Sequence, residues 1–172
     1  MPIYALGDLK PTIDPLAYVH PEAVIIGDVR IGPESTVLPM AVLRGDGGHI
    51  TVGARTSVQD GAVLHTTPEY PTTVGDDCTI GHLAHLEGCV IESGSLVGSG
   101  SIVLARARVR SGALVAAGAV VLEGQEIPSG ALAVGLPARI KDGAVNPEQL
   151  KMSAQSYVER GRRFRAELRR ID

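Results

Sequence analysis

The chain has no tryptophan, a single phenylalanine and only 3% aromatic residues in 172. A core built on large rings is therefore excluded, and what remains to fill an interior is Val, Ile, Leu and Ala. Cysteine is almost as scarce. Cys78 and Cys89 form no C-x-x-C pair and read as small core or corner residues, which favours a reducing cytoplasm. No long uninterrupted apolar run is present, so no membrane span is expected. Met1 to Lys10 has neither the basic start nor the apolar stretch of a secretory signal. A formal net charge of −3 gives no case for nucleic acid as a partner.

What the chain does have is a beat of six. Val19, Ile25, Ile31, Val37 and Leu43 keep it, and Val52, Val58 and Leu64 resume it after an insertion. A second insertion precedes Val74, Ile80 and Leu86, and a one-residue shortening leads to Ile91, Val97, Val103, Val109, Val115, Val121 and Ile127. Four residues after almost every one of these stands something small, such as Ala23, Ser35, Ala41, Thr56, Ala62, Cys78 or Ala84. A fixed short period means that no unit buries its own apolar face and that neighbours must stack. The pattern predicts an all-β hexapeptide solenoid, a parallel β-helix in which three repeats close one triangular coil. Coils stack about 4.8 Å apart. Gly32, Gly53, Gly75, Gly81 and Gly98, each directly after an apolar beat residue, are expected at corners, where permissive backbone angles are useful.

The repeat ends near Gly135 to Ile140, so residues 1–140 are read as the solenoid and 141–172 as a linker and a C-terminal α-helix packed on it. Asn146 suits a helix cap, with Pro147 at the first position and Gln149 three residues after the cap. Leu150, Ala154, Tyr157, Gly161, Phe164, Leu168 and Ile171 follow at spacings of three and four, a single apolar stripe. The arginines around it, from Arg160 to Arg170, are broken by Glu159 and Glu167 and read as a solvated face.

Three repeats per coil put Leu43, Leu64 and Leu86 on one wall, because both insertions leave at the same corner. The next residues outward, Arg44, His65 and Glu87, then form a vertical column. His85 and Glu87 flank Leu86 and both point out. His82 lies on the corner before that wall, and its ring points elsewhere. Two histidines and a carboxylate beside flexible insertions make a candidate zinc site, and polar residues at a subunit contact are the plainer alternative. Bringing His82 to the His65 and Glu87 column requires a second chain, as closed rotational oligomers allow.

RGD at Arg44 to Asp46, GARTSVQDGAVLH at Gly53 to His65 and GHLAHLEGC at Gly81 to Cys89 resemble the γ-class carbonic anhydrases and their relatives. That resemblance implies a left-handed parallel β-helix, a homotrimer, and metal sites between subunits holding Zn2+, with Fe2+ or Co2+ as alternatives. It carries His65 and the adjacent subunit's equivalent of His82 over as metal ligands, and Gln59 as the residue orienting water or hydroxide on the metal. Arg44, Asp46 and Asp60 match a charged set supporting the site and the trimer contact. The third family histidine is replaced by Glu87. Glu87 ligates in its place, His85 substitutes for it, or Glu87 pairs with Arg44 and leaves the site weak. His49 and Glu69 are the nearby groups for proton relay, each equally an exposed loop residue without a task.

The function these features imply is hydration of carbon dioxide to bicarbonate by a cytoplasmic metalloprotein. GLPARI, Gly135 to Ile140, also resembles the ending of hexapeptide acyltransferases, which implies the competing function, acyl transfer from acetyl coenzyme A. A non-catalytic trimeric assembly module is the third reading, motivated by Glu87.

Overall fold

In the computed structural model, which describes residues 2–172, the six-residue beat becomes three walls of short parallel strands. The first wall stacks Val42, Val63, His85, Ile102 and Val120 in register. The second stacks Val52, Val74, Ile91, Val109 and Ile127. The third runs from Tyr18–Val19 through Ser57–Val58 and Thr79–Ile80 to Leu132–Val134. Val24–Ile31 and Val42–Val52 run unbroken from the first wall into the second, so these two walls form one hydrogen-bonded sheet. Both insertions leave at that corner, one within Val42–Val52 and the other between His65 and Thr72.

The beat residues fill the interior. Ile25, Leu43, Leu64, Leu86, Ile80 and Val97 are wholly buried, and so are the small residues Ala23, Ala41, Ala62, Cys78, Ala84 and Cys89. Burying such an aliphatic side chain stabilises by about 1.5–3 kcal/mol, whereas an exposed ion pair contributes about 0–1 kcal/mol. The inward columns therefore hold the coils together and the surface charges do not. Both cysteines are free, and burial pushes their thiols up to about 11 for Cys78 and about 12 for Cys89.

The glycines after the beat residues are required for a different reason from the one expected. Gly32, Gly53, Gly75, Gly81 and Gly98 do not have left-handed backbone angles. A Cβ at Gly53 would lie 2.6 Å from the Gly75 carbonyl carbon, and one at Gly98 would lie 2.5 Å from the Ala117 nitrogen. Close stacking of coil on coil, not φ, excludes side chains there. The left-handed angles fall at the other end of the corner, where Glu34, Arg55, Asp77 and Leu83 adopt them as well as glycines.

After Leu132–Val134 the chain turns back, and Arg139–Lys141 pairs antiparallel with it, ending the winding. The C-terminal helix spans Pro147–Glu167, with Asn146 accepting from the Glu148 amide at 3.1 Å and Pro147 opening its first turn. It lies along the third wall. Its buried stripe is Leu150, Ala154, Val158 and Gly161, a correction to the expected one. Tyr157 turns partly out, with the Arg160 guanidinium 4.9 Å from its ring centre. Phe164 packs on Tyr18 at 5.7 Å between centroids. Leu168 is the C-cap and Ile171, 91% exposed, lies past the helix end. All of the arginines are exposed as expected, with Arg162 paired to Glu34, Arg163 to Glu167 and Arg170 to Asp172. Among the described residues no helix is long and apolar enough to cross a membrane.

Gly161 stands where helix and wall leave no room for a side chain. A Cβ there would sit 2.3 Å from Thr36 Cγ2, and Thr36 is held by its hydroxyl donating to Ser57 Oγ at 2.9 Å. Gly161→Ala is expected to destabilise by about 1–3 kcal/mol in urea unfolding, as overpacking does. Adding Thr36→Ser, which removes Cγ2 and keeps the hydroxyl, restores most of the loss.

Candidate functional site

Register places the outward column as the spacing predicts. Arg44 and Glu87 are the Cα partners of His65 on either side. His85 is the partner of Val63, not of His65. Leu86 points in and is fully buried, while His85 and Glu87 flank it outward and half-exposed.

Contacts within the column are dominated by carboxylates. Asp46 pairs with Arg44 and also lies 3.2 Å from His65 Nε2. Glu87 does not pair with Arg44, contrary to one of the three outcomes considered for it. Its Oε1 is 3.5 Å from His65 Nδ1 and its Oε2 is 3.3 Å from His85 Nε2. One carboxylate thus bridges two imidazoles, and both ring nitrogens of His65 face carboxylates. Partial burial pushes the Asp46 carboxyl up, but hydrogen bonds from Arg44 and His65 outweigh it and hold the group below the usual aspartate range.

The second cluster stands on the corner after the third wall. There His82 Nδ1 lies 2.8 Å from Asp60 Oδ2, with the two side chains 48% and 47% exposed. The opposite ring nitrogen, Nε2, is left available. Gln59 is buried beside Asp60. Arg44, Asp46 and Asp60 are therefore not one network in this chain: Arg44 and Asp46 belong to the His65 column, and Asp60 belongs to His82. The split arises because Asp60 follows the third wall and Arg44 follows a beat residue of the first.

Of the loop groups considered for relay, Glu69 is exposed and His49 half-buried. Thr72 is a positioning residue that the sequence reading missed. Its buried hydroxyl donates to the His65 carbonyl and accepts from the Gly88 amide at 2.8 Å, tying the strand that bears His65 to the turn after Glu87. A threonine in a strand looks like any β-branched residue, so nothing in the sequence marked it.

As a test of fit to a metal, His65 and Glu87 supply two adjacent donors. Among the described residues no group of three His, Cys, Asp or Glu side chains converges to hold an ion. A complete ligand set therefore needs His82 of another copy, or a rearrangement of His85.

The carnitine operon protein CaiE of Citrobacter koseri is 39% identical over 171 residues, covering 98% of this chain and 86% of that protein. The chain belongs to the hexapeptide-repeat family of CaiE. A candidate acetyltransferase of Bacillus cereus superposes with a TM-score of 0.93 at 36% identity, over 96% of this chain and 98% of that one. A hexapeptide transferase family protein of Anaplasma phagocytophilum gives 0.91 at 34% identity, over 97% and 98%. The fold is the left-handed β-helix of this hexapeptide-repeat family. No protein-family model matches the chain. Two of these three relatives carry transferase names, the third is named for an operon, and none narrows the family to γ-carbonic anhydrases.

Because its folded-state pKa is lowered, the Asp46 carboxylate contributes stability that is present above the unfolded value of about 4 and is lost as pH falls through the folded value. Asp46→Asn is expected to be less stable than the parent at neutral pH and equal to it in strong acid, measured by thermal unfolding between pH 7 and pH 2. A stability gap that stays constant across that range contradicts the assignment.

Proposed function

We propose that this protein transfers an acyl group from a coenzyme A thioester to a small amine or alcohol, with His82 as general base and Asp60 as its orienting carboxylate. The observation that carries this reading is the 2.8 Å contact between His82 Nδ1 and Asp60 Oδ2, which leaves Nε2 available. A carboxylate at one ring nitrogen fixes the tautomer and stabilises the imidazolium that forms when the other nitrogen takes a proton. His65 is the less available base, because Asp46 and Glu87 engage both of its nitrogens. The acetyltransferase and transferase names of the close structural relatives support the same class.

In the reaction the acceptor nitrogen or oxygen attacks the thioester carbonyl carbon as His82 Nε2 removes its proton. The new C–N or C–O bond forms, the C–S bond breaks, and the proton passes from His82 to the departing thiolate. The products are the acylated acceptor and free coenzyme A. Exposed Met40 and Leu83, 64% and 71% accessible, stand on the same corner as His82. In this reading a homotrimer covers them and completes a groove between copies.

A second reading is favoured by the pairing of His65 with Glu87 at 3.5 Å. Here His65, Glu87 and the His82 of an adjacent copy would hold Zn2+, Fe2+ or Co2+. The metal would supply Lewis-acid activation of water for carbon dioxide hydration, with Gln59 orienting it and Arg44, Asp46 and Asp60 supporting the site. The two readings respond oppositely to chelation.

With acetyl coenzyme A and a panel of amines and alcohols, thiol release is expected to survive chelator treatment and to fall about 100-fold or more in kcat in His82→Gln, the scale of general-base loss. Coenzyme A is expected to raise the unfolding temperature of the chelator-treated protein. Activity that depends on added metal, increases in Glu87→His and consumes carbon dioxide would replace the first reading by the second.

A further inference from the structure

The seam between the C-terminal helix and the solenoid contains an open groove of about 600 Å3, on the corner before the third wall and away from the corner that bears His82. Its size falls in the range of small-molecule sites. The reason it exists is legible in one column of left-handed residues. Glu34, Arg55 and Asp77 occupy the lower corners with long charged side chains, and the same position in the coils above is Gly94 and then Gly112. The first turns of the helix, from Pro147 to Ala154, line the same groove as Gly94 and Gly112, so a notch remains where the long side chains stop. A Cβ at Gly112 would meet nothing within 4 Å, and one at Gly94 would meet only the Gly112 nitrogen at 3.9 Å.

The helix presents two stripes to this seam. Leu150, Ala154 and Val158 are buried and give the groove an apolar side, while Lys151, Gln155 and Glu159, spaced by four, form a polar lip. Most of the charge in the groove cancels. Arg55 pairs with Asp77 through two hydrogen bonds of 2.7 Å, and Arg162 pairs with Glu34. Glu159 lies one helical turn from Arg162. Lys151 differs: among the described residues it makes no ion pair, and neither does Glu148 three residues before it nor Glu159 at the far end of the lip. The groove thus combines an apolar wall with an unpaired cation, Lys151, at one end of the lip and an unpaired anion, Glu159, at the other. From Lys151 to Glu159 the lip is about 12 Å long at 1.5 Å per residue.

We propose that this groove binds a medium-chain monocarboxylate, with the hydrocarbon chain along Leu150, Ala154 and Val158 and the carboxylate at Lys151. The site is separate from the acyl-transfer centre and does not depend on that reading.

Octanoate is the probe, titrated calorimetrically into the full chain. One molecule is expected to bind per chain. Gly112→Asn places a side chain in the notch, in a backbone conformation that asparagine tolerates, and is expected to abolish binding with the far-UV dichroism unchanged. Lys151→Ala is expected to weaken octanoate about tenfold or more, the scale of one charge-assisted hydrogen bond, and to leave 1-octanol binding unchanged. His82→Gln is expected to bind octanoate as the parent does, which separates failure of this proposal from failure of the acyl-transfer reading. No binding to the parent chain, equal binding by folded Gly112→Asn, or equal loss of octanoate and 1-octanol in Lys151→Ala overturns the proposal.

Discussion

Every feature of this molecule depends on coils that stack in register one strand spacing apart. At that spacing each inward beat residue lies directly above and below its counterparts, as Leu43, Leu64 and Leu86 do. Sliding one coil by a single residue would turn its apolar set outward and its polar set inward. The same spacing excludes a Cβ at Gly53 or Gly98, because the backbone of the next coil already occupies that volume. Close packing and register are therefore one constraint, with the aliphatic columns as its energetic source and the glycines as its geometric condition.

On the outside the constraint turns residues far apart in the chain into vertical neighbours, and the chain uses this to stack opposite charges. Arg55 meets Asp77, Arg110 meets Glu126, and Glu92 meets Arg108 and Arg110. These pairs are exposed enough that each contributes little to stability. Their effect is to fix side-chain positions. Asp60 does the same for His82 and Asp46 for His65, so the clusters with chemical potential are local versions of a general surface pattern, distinguished by carrying an imidazole.

The period of six was sufficient to place the walls and the corner at which both insertions leave, and so to set Arg44, His65 and Glu87 in one column. It could not give the cause of the glycines, since stacking clearance depends on the next coil's backbone and not on local sequence. The helix stripe was misread at one turn for a related reason: Tyr157 and Val158 both fit the spacing, and only the wall shows that Val158 faces it while Tyr157 is drawn toward Arg160. Side-chain pairing was least legible. Arg44, Asp46 and Asp60 enter as a set only through the family resemblance, which implies a contact between subunits; within one chain the winding puts Asp60 beside His82 and leaves Arg44 and Asp46 in the His65 column.

Glu87 shows how one residue can redistribute chemistry across such a surface. Standing between His65 and His85, its two oxygens engage one nitrogen of each. A histidine at that position would offer nitrogen donors to the same space and would leave the column as a cluster of imidazoles, whereas a carboxylate ties the two rings to one anion. With Asp46 on its other side, His65 then has no nitrogen without a carboxylate neighbour. His82, whose only carboxylate contact is Asp60, and His85, whose only one is Glu87, each keep one ring nitrogen without such a neighbour. Of the three histidines, His65 alone has carboxylates at both ring nitrogens and is the most enclosed, its side chain 21% exposed against 37% for His85 and 48% for His82.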